Sequence, residues 1–404
     1  MDSLERLVRR ARELEPRMRE RLAAYVHHET PTGDADALNR LAEVLGGHYA
    51  ELGATVAAVP CDTGDHLLAT WPAGEAHDSS VSEQPHVVVL GHHDTVWPVG
   101  QLAERMPYAD DGTLIRGPGV FDMKGGLVAF ETAIAVLRDC DVPLAQPVRL
   151  VVTADEEIGT PTGRALVERE LAGAAAALGL EPPHPKGGLK TGRHGSTRVR
   201  LEVTGVEAHA ALDRTRGVSA IDELVDQLVR LRGVAAAEEH VLYNVGTVHG
   251  GTRTNVTAGK ARAELGFRFG DAEVERRVLD QLTRLEPVRE NAGVQARILT
   301  SRPAWAGTGN EDLFAAVVAA GARVGQQVRG SHALGAADTN FAGAAGVPAL
   351  DGFGPRGRGA HAVHEEIVAE SLVERAALIA SVLASPLGPT SQPDVPARRP
   401  GPTS

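Results

Sequence analysis

The sequence predicts an α/β protein: a mixed sheet with helices on both faces, interrupted by an inserted β-α-β-β-α-β (ferredoxin-like) domain. Three observations predict it. The chain has 404 residues, more than one ordinary core organises, so two domains are expected. Val87-Val88-Val89-Leu90 is an all-apolar run, the mark of a strand buried on both faces. It leads through Leu127, Phe130, Ile134 and Leu137, at helical spacing, to a second apolar strand at 148–153, a βαβ unit whose strands run parallel. Between 197 and 300 the pattern changes to strand 197–204, helix 219–231, strands 242–249 and 260–269, helix 271–285 and strand 294–300. The expected domains are therefore 1–194 with 303–386, and 195–302 inserted between them.

Taken in order, residues 3–26 and 34–52 read as amphipathic helices, the second with Leu38, Leu41, Leu45 and Tyr49 on one face. The turn-rich His28-Glu29-Thr30-Pro31-Thr32-Gly33 joins them. Strands 55–59 and 66–71 and a polar surface loop, 73–85, precede the apolar run. Past Pro303 come helix 311–324, strands near 328–334 and 347–351, and helix 365–383; residues 387–404, dense in Pro and Ser, read as a disordered tail.

Composition narrows the function. A net charge of -12 without a concentrated Lys/Arg stripe argues against nucleic acid or an anionic membrane surface and for a small molecule or peptide. The two cysteines, Cys61 and Cys140, are too few and too far apart for a disulfide framework or a thiolate zinc cage. No signal-peptide core and no membrane-length apolar run is present, so a cytoplasmic location is expected.

A metal site built without cysteine needs imidazoles and carboxylates from several segments. His92, Asp122, Glu157, Glu181 and His361 each sit in a Gly/Pro-punctuated loop at or beside a strand end. Singly, Asp122 reads equally as a helix cap, Glu181 as a loop charge and His361 as a surface imidazole. Together, and in this order, they read as a ligand set.

The succession G-H-H-D-T-V-W-P from Gly91, G-P-G-V-F-D-M-K-G-G from Gly117, T-A-D-E-E-I-G from Thr153, Glu181-Pro182 and the late Gly359-Ala360-His361 resembles the di-zinc peptidase and amidohydrolase family. That family contains glutamate carboxypeptidases, aminoacylases, acetylornithine deacetylase and succinyl-diaminopimelate desuccinylase, and the glutamate carboxypeptidase-like branch is the most similar. The likeness runs from Glu29 to Glu366. It implies a zinc-exopeptidase-like catalytic fold and two divalent ions, zinc first, with cobalt or manganese also fitting the donors. By the same resemblance His92 and Glu181 hold one ion, Glu157 and His361 the other, and Asp122 bridges them, followed by a cis peptide bond to Met123. Asp94 then orients His92, Asp338 supports the metal loop, and Glu156 is the general base for hydroxide attack on an amide. His93, His194, His249, His332 and His364 receive no role.

In the insertion, Ala208-His209-Ala210 resembles the family segment whose histidine stabilises the oxyanion in the neighbouring subunit, which implies a homodimer. Asn255 matches a substrate-contacting turn, and Arg268 and Arg302 match positions that grip a substrate carboxylate, a task suited to the planar guanidinium. The match is incomplete at Ala208, where serine is usual, at Gly266, where aspartate is common, and in the Gly159–Gly163 turn. Arg356 and Arg358 stand where the family loop is mostly glycine and read as solvent-facing first and, second, as favouring an acidic substrate side chain. The expected activity is hydrolysis of an amide beside an amino acid with a free carboxylate, as a carboxypeptidase or, second, as an N-acyl-amino-acid deacylase. A non-catalytic binding protein of the same fold is the remote third reading.

Overall fold

The computed structural model describes residues 3–74, 85–213 and 215–388. Most of the expected 73–85 loop and all but the start of the expected 387–404 tail lie outside the described residues. Leu387 is described: it is buried, and its amide donates to Gln146 Oε1 at 2.7 Å, so the chain is still anchored there.

The main sheet has six strands in the order Thr55–Val59, His66–Trp71, Val148–Thr153, His86–His92, Ala174–Gly179 and Ala349–Leu350. The first two join antiparallel and the other four run parallel. Period-two alternation explains why the central run is apolar throughout. Val87 and Val89 pack in a core with Leu127, Phe130 and the Glu370–Leu383 helix, whereas Val88 and Leu90 pack in another with Leu166, Val167 and Phe341. Helices thus cover both faces.

The glycine pair Gly125-Gly126 opens the Gly125–Asp139 helix for a steric reason. A Cβ on Gly126 would lie 2.2 Å from the carbonyl oxygen of Leu180, and one on Gly125 would lie 2.5 Å from that of Val120. Only glycine lets this helix start against the chain that carries Glu181.

Residues 195–302 form a second sheet, ordered Val241–Gly250, Lys260–Phe269, Gly195–Thr204 and Gly293–Arg302, antiparallel throughout. Helices Ala220–Ala236 and Ala272–Leu282 cover one face, through Leu224, Leu231, Val278 and Leu282 against Val199, Leu201, Phe267 and Phe269. Among the described residues no element of the insertion covers the other face.

Several local expectations change. The first helix breaks at Leu14, before Pro16, into Ser3–Glu13 and Glu15–His27, because proline lacks the amide that would continue the ladder. The last helix begins at Glu370 rather than 365, since Glu366–Val368 pairs as a strand with Leu114–Arg116. Gly330–Ala333 pairs with Leu189–Arg193 in a two-stranded sheet of its own. Ala174–Gly179, rich in alanine and unmarked as a strand in sequence, lies inside the main sheet between His86–His92 and Ala349–Leu350. No helix among the described residues is long and apolar enough to cross a membrane.

Alanine in place of glycine ordinarily favours a helix by about 1 kcal/mol. At Gly126 the contact with Leu180 reverses the sign: Gly126→Ala should destabilise by about 2 kcal/mol, the cost of overpacking, as read from the denaturant midpoint. A stabilised variant would contradict the packing described.

Candidate metal centre

Parallel strands deliver their C-terminal residues to one edge of a sheet. His86–His92 ends in His92, Val148–Thr153 leads to Asp155-Glu156-Glu157, and Ala174–Gly179 leads to Glu181. Asp122 comes from the turn before the Gly125–Asp139 helix, across a cis Asp122-Met123 bond. His361 enters from a late loop with φ 61°, a left-handed backbone that a non-glycine residue adopts at a cost of about 1 kcal/mol.

The five expected ligands meet. His92 Nε2 lies 3.3 Å from Asp122 Oδ1 and 3.6 Å from Glu181 Oε1. His361 Nε2 lies 3.3 Å from Asp122 Oδ2 and 2.9 Å from Glu157 Oε2. Each oxygen of Asp122 therefore faces a different imidazole, the disposition of a carboxylate between two cations.

Surrounding groups hold this arrangement. Asp94 is fully buried; its Oδ1 is 3.2 Å from His92 Nδ1 and accepts the amide of Glu156, and its Oδ2 accepts the amide of Glu157 and the hydroxyl of Thr32. With Nδ1 also 3.0 Å from the Asp94 carbonyl oxygen, the imidazole hydrogen belongs on Nδ1, which turns the Nε2 lone pair to the cluster. Glu365 does the same work for Asp122. It accepts the amides of Gly119, Phe121 and Asp122 and the indole of Trp97, all at 2.9 to 3.0 Å. Glu365 and Thr32 were not singled out in the sequence. Glu365 stands directly between His364 and Glu366, in no distinctive spacing, and Thr32 in a loop noted only for its turns. His93 is buried, but its Nε2 faces the Asp65 carbonyl oxygen at 3.0 Å, on the far side from the ligands.

Glu156 lies within ligand distance of His92 and Glu181, and these three also group as donors. Its Oε1, however, is bound by Arg302 at 2.9 Å, which leaves the carboxylate tied away from a chelating position and suits a base beside the metals. Here the expectation for Arg302 is corrected. Its side chain is buried, Nη2 donates to the Glu156 carbonyl at 2.6 Å, the Thr160 hydroxyl at 2.6 Å and Asp338 Oδ1 at 3.0 Å, and Nε donates to the same Asp338 oxygen. A guanidinium so occupied does not grip a substrate carboxylate. Asp338 acts through Arg302 and Thr160, and its Oδ2 accepts the hydroxyl of Thr153 at 3.1 Å, at the strand end that leads into Glu156-Glu157.

The remaining expected residues lie on the insertion. Arg268 is exposed, without an ion-pair or hydrogen-bond partner among the described residues; burial of its stem and the nearby Arg302 lower its pKa. His209 Nδ1 accepts the amides of Ala211 and Leu212, both at 3.2 Å, so Nε2 carries the hydrogen and is a donor. The Asn255 carbonyl accepts the amide of Ala210 at 3.0 Å, which locks the two turns together. Arg356 is paired with Glu374 and Arg358 with Glu366, as solvent-facing arginines.

Burial pushes Glu156 up to about 8, against the pull of Arg302, and pushes Glu157 and Glu181 up to about 7. Hydrogen bonds to Asp122 and Glu157 hold His361 up to about 11. Asp122, though buried, is depressed by the facing imidazoles of His361 and His92. Four carboxylates thus share a low-dielectric edge with two imidazoles and one guanidinium. The donors, two imidazoles and three carboxylates besides the base, fit two borderline divalent cations and no softer metal.

Fold and donor set together define a metallohydrolase. The family model described as Peptidase family M20/M25/M40 matches residues 88–385, and the chain belongs to that family, whose members use divalent metals, typically zinc. Carboxypeptidase G2 of Pseudomonas sp. (strain RS-16) is 26% identical over 394 residues, covering 95% of this chain and 92% of that protein. Succinyl-diaminopimelate desuccinylase of Gluconacetobacter diazotrophicus is 26% identical over 323 residues, covering 75% and 82%. The structure of aminopeptidase PepT from Bacillus cereus superposes with a TM-score of 0.71 at 21% identity, covering 92% of this chain and 98% of that one, a likeness of fold.

To coordinate a cation, Glu157 and Glu181 must be ionised and His361 neutral. Because both glutamates are held near 7 and His361 near 11, metal uptake by the metal-free protein at neutral pH should release protons. Affinity should fall as pH drops through 7, where the carboxyls take up protons. Titration calorimetry in two buffers of different ionisation enthalpy measures this. Equal enthalpies in both would contradict it.

Proposed function

We propose that the protein is a two-metal carboxypeptidase of the glutamate carboxypeptidase type, hydrolysing an amide next to an amino acid with a free carboxylate. The observation that carries the reading is Glu156: a buried carboxyl beside the ligand set, pushed up to about 8, and clamped by Arg302 at 2.9 Å. His92 with Glu181 and Glu157 with His361 would hold two zinc ions, with cobalt or manganese as substitutes, and Asp122 would span them. Such ions, when bound, supply a Lewis acid for the amide carbonyl and a water made acidic enough to ionise near neutrality.

The chain's own groups perform the rest. Glu156 takes the proton from the attacking water and passes it to the leaving nitrogen, a role that needs a pKa near the working pH. Arg302, Thr160 and Asp338 keep its carboxylate in place. Arg268, exposed and unpaired near Arg302, is the guanidinium left to bind the substrate's carboxylate. A desuccinylase-type relative keeps N-acyl-amino-acid deacylation as the second reading, since both reactions need the same carboxylate grip.

A homodimer through the insertion is part of the proposal. The strand Gly195–Thr204 has ten residues, about 30 Å of extended chain, so His209 beyond its far end is out of reach of the metals beside Arg302. It serves the partner's site, with Asn255 alongside. The helix Ala220–Ala236 exposes Ile221, Val225 and Val229 four residues apart, and the edge strand exposes Val248 on the same side of the sheet, apolar side chains suited to a second copy.

Glu156→Ala should lower kcat by about 10³, the usual worth of a general base, with metal content unchanged. Amino-acid release from a panel of peptidyl and N-acyl substrates, with metal assayed in the same preparation, reads both. Unchanged turnover would sink the mechanism. Mixed dimers of Glu156→Ala and His209→Ala should regain activity, since one of the two sites then has an intact base and an intact trans histidine. No recovery despite demonstrated subunit exchange would remove the trans role.

A further inference from the structure

The uncovered face of the inserted sheet is strongly basic in a chain of net charge -12. Residues directly opposite in an antiparallel pair share a face. The register therefore sets Arg268 beside Ser196 and Arg302, Arg198 beside Gly266 and Thr300, Arg200 between Glu264 and Arg297, and Arg262 beside Glu202, with Lys260 in the last row. Arg302 is spent on Glu156 and Asp338, which leaves Arg198, Arg200, Lys260, Arg262, Arg268 and Arg297 against two carboxylates, Glu202 and Glu264. Glu264 already serves Arg200 at 2.8 Å and Arg198 at 3.8 Å. Lys260, Arg262, Arg268 and Arg297 are exposed and have no hydrogen-bond or ion-pair partner among the described residues.

These cations are ordered along a line that ends at the metal centre. The Arg302 row touches Glu156, and the Lys260 row lies at the opposite end, where a cavity of about 560 Å³ opens beside Glu202, Thr204, Glu207, His249, Lys260 and Arg262. Same-face residues of a strand repeat about every 6.8 Å, the spacing at which an extended peptide presents alternate side chains. A face that concentrates one sign of charge on a protein of the other sign draws ligands of opposite charge and holds them loosely until carboxylates pair with its guanidinium groups.

We propose that this face binds an acidic oligopeptide laid along the sheet, several of whose carboxylates pair with Arg297, Arg262 and Lys260 while one end reaches Arg268. The direction of the peptide rests on the hydrolase reading; its binding does not. The assignment makes the protein selective for carboxylate-rich substrates beyond the one residue adjoining the reacting amide.

The test is fluorescence anisotropy with N-terminally labelled hexaglutamate and, as control, hexaglutamine, on the full-length zinc-loaded protein in the Glu156→Ala background so that the peptide is not consumed. Hexaglutamate should bind and weaken steeply as salt rises, since screening acts on exposed charges. The combined variant Lys260→Gln, Arg262→Gln, Arg297→Gln should weaken it about tenfold at low salt, with oligomeric state and thermal midpoint unchanged, as expected of exposed substitutions. Glu202→Gln, which removes a carboxylate from the same face, should tighten it about twofold. Equal binding of hexaglutamine, or indifference to all these substitutions, overturns the proposal. So does tighter binding of an oligonucleotide of equal charge with the same sensitivity, which would make the face a nucleic-acid surface. Binding is read without turnover, so failure of the hydrolase reading would show separately, as absent amino-acid release while hexaglutamate still binds.

Discussion

Asp122, Glu156, Glu157 and Glu181 are gathered at one sheet edge, and everything near them answers to the repulsion that results. Two like charges about 4 Å apart cost about 4 kcal/mol even at an effective dielectric constant of 20. Burial adds to that, which is why three of the four carboxyls are pushed up to about 7 or 8. The protein relieves the cluster in different ways at different members. Glu156 receives Arg302, Asp122 receives both imidazoles, and Glu157 and Glu181 share those same imidazoles, His361 and His92, with it. The same logic sets Glu156 apart from Glu157 and Glu181: of the three it alone is given a guanidinium.

The supports are built from backbone amides as much as from side chains. Asp94 and Glu365 are buried carboxylates whose oxygens accept main-chain N–H groups of the loops that carry the ligands. Asp94 therefore sets both the tautomer of His92 and the path of Glu156-Glu157. Glu365 holds the turn at Asp122, and Gly126 lets the helix beyond it start against the Glu181 chain. An imprecise loop at any of these points would displace a ligand by more than a coordination bond tolerates.

Much of this was legible in the sequence. The apolar runs before His92 and Asp155 announced two parallel strands ending on one edge, and the order of the motifs, through the resemblance it carries, named the five donors. The strand Ala174–Gly179 was not legible: an alanine-rich stretch has helical propensity, and only its place between other strands overrides it. Arg302 was misread because its identity says nothing about its partners; Thr160 and Asp338, distant in sequence, converge on it only in the fold. The basic face was hidden for a related reason. Its cations alternate with apolar residues on three separate strands, so no stretch of sequence is strongly positive, and the sheet register assembles them.

The central claim is that the gathered carboxylates and imidazoles form two adjoining cation sites bridged by Asp122. Anomalous diffraction from zinc-loaded crystals tests it most directly. The account predicts two peaks about 3.5 Å apart, one between His92 and Glu181, the other between Glu157 and His361, with Glu156 bound to neither. A single peak, or a peak coordinated by Glu156, would contradict it.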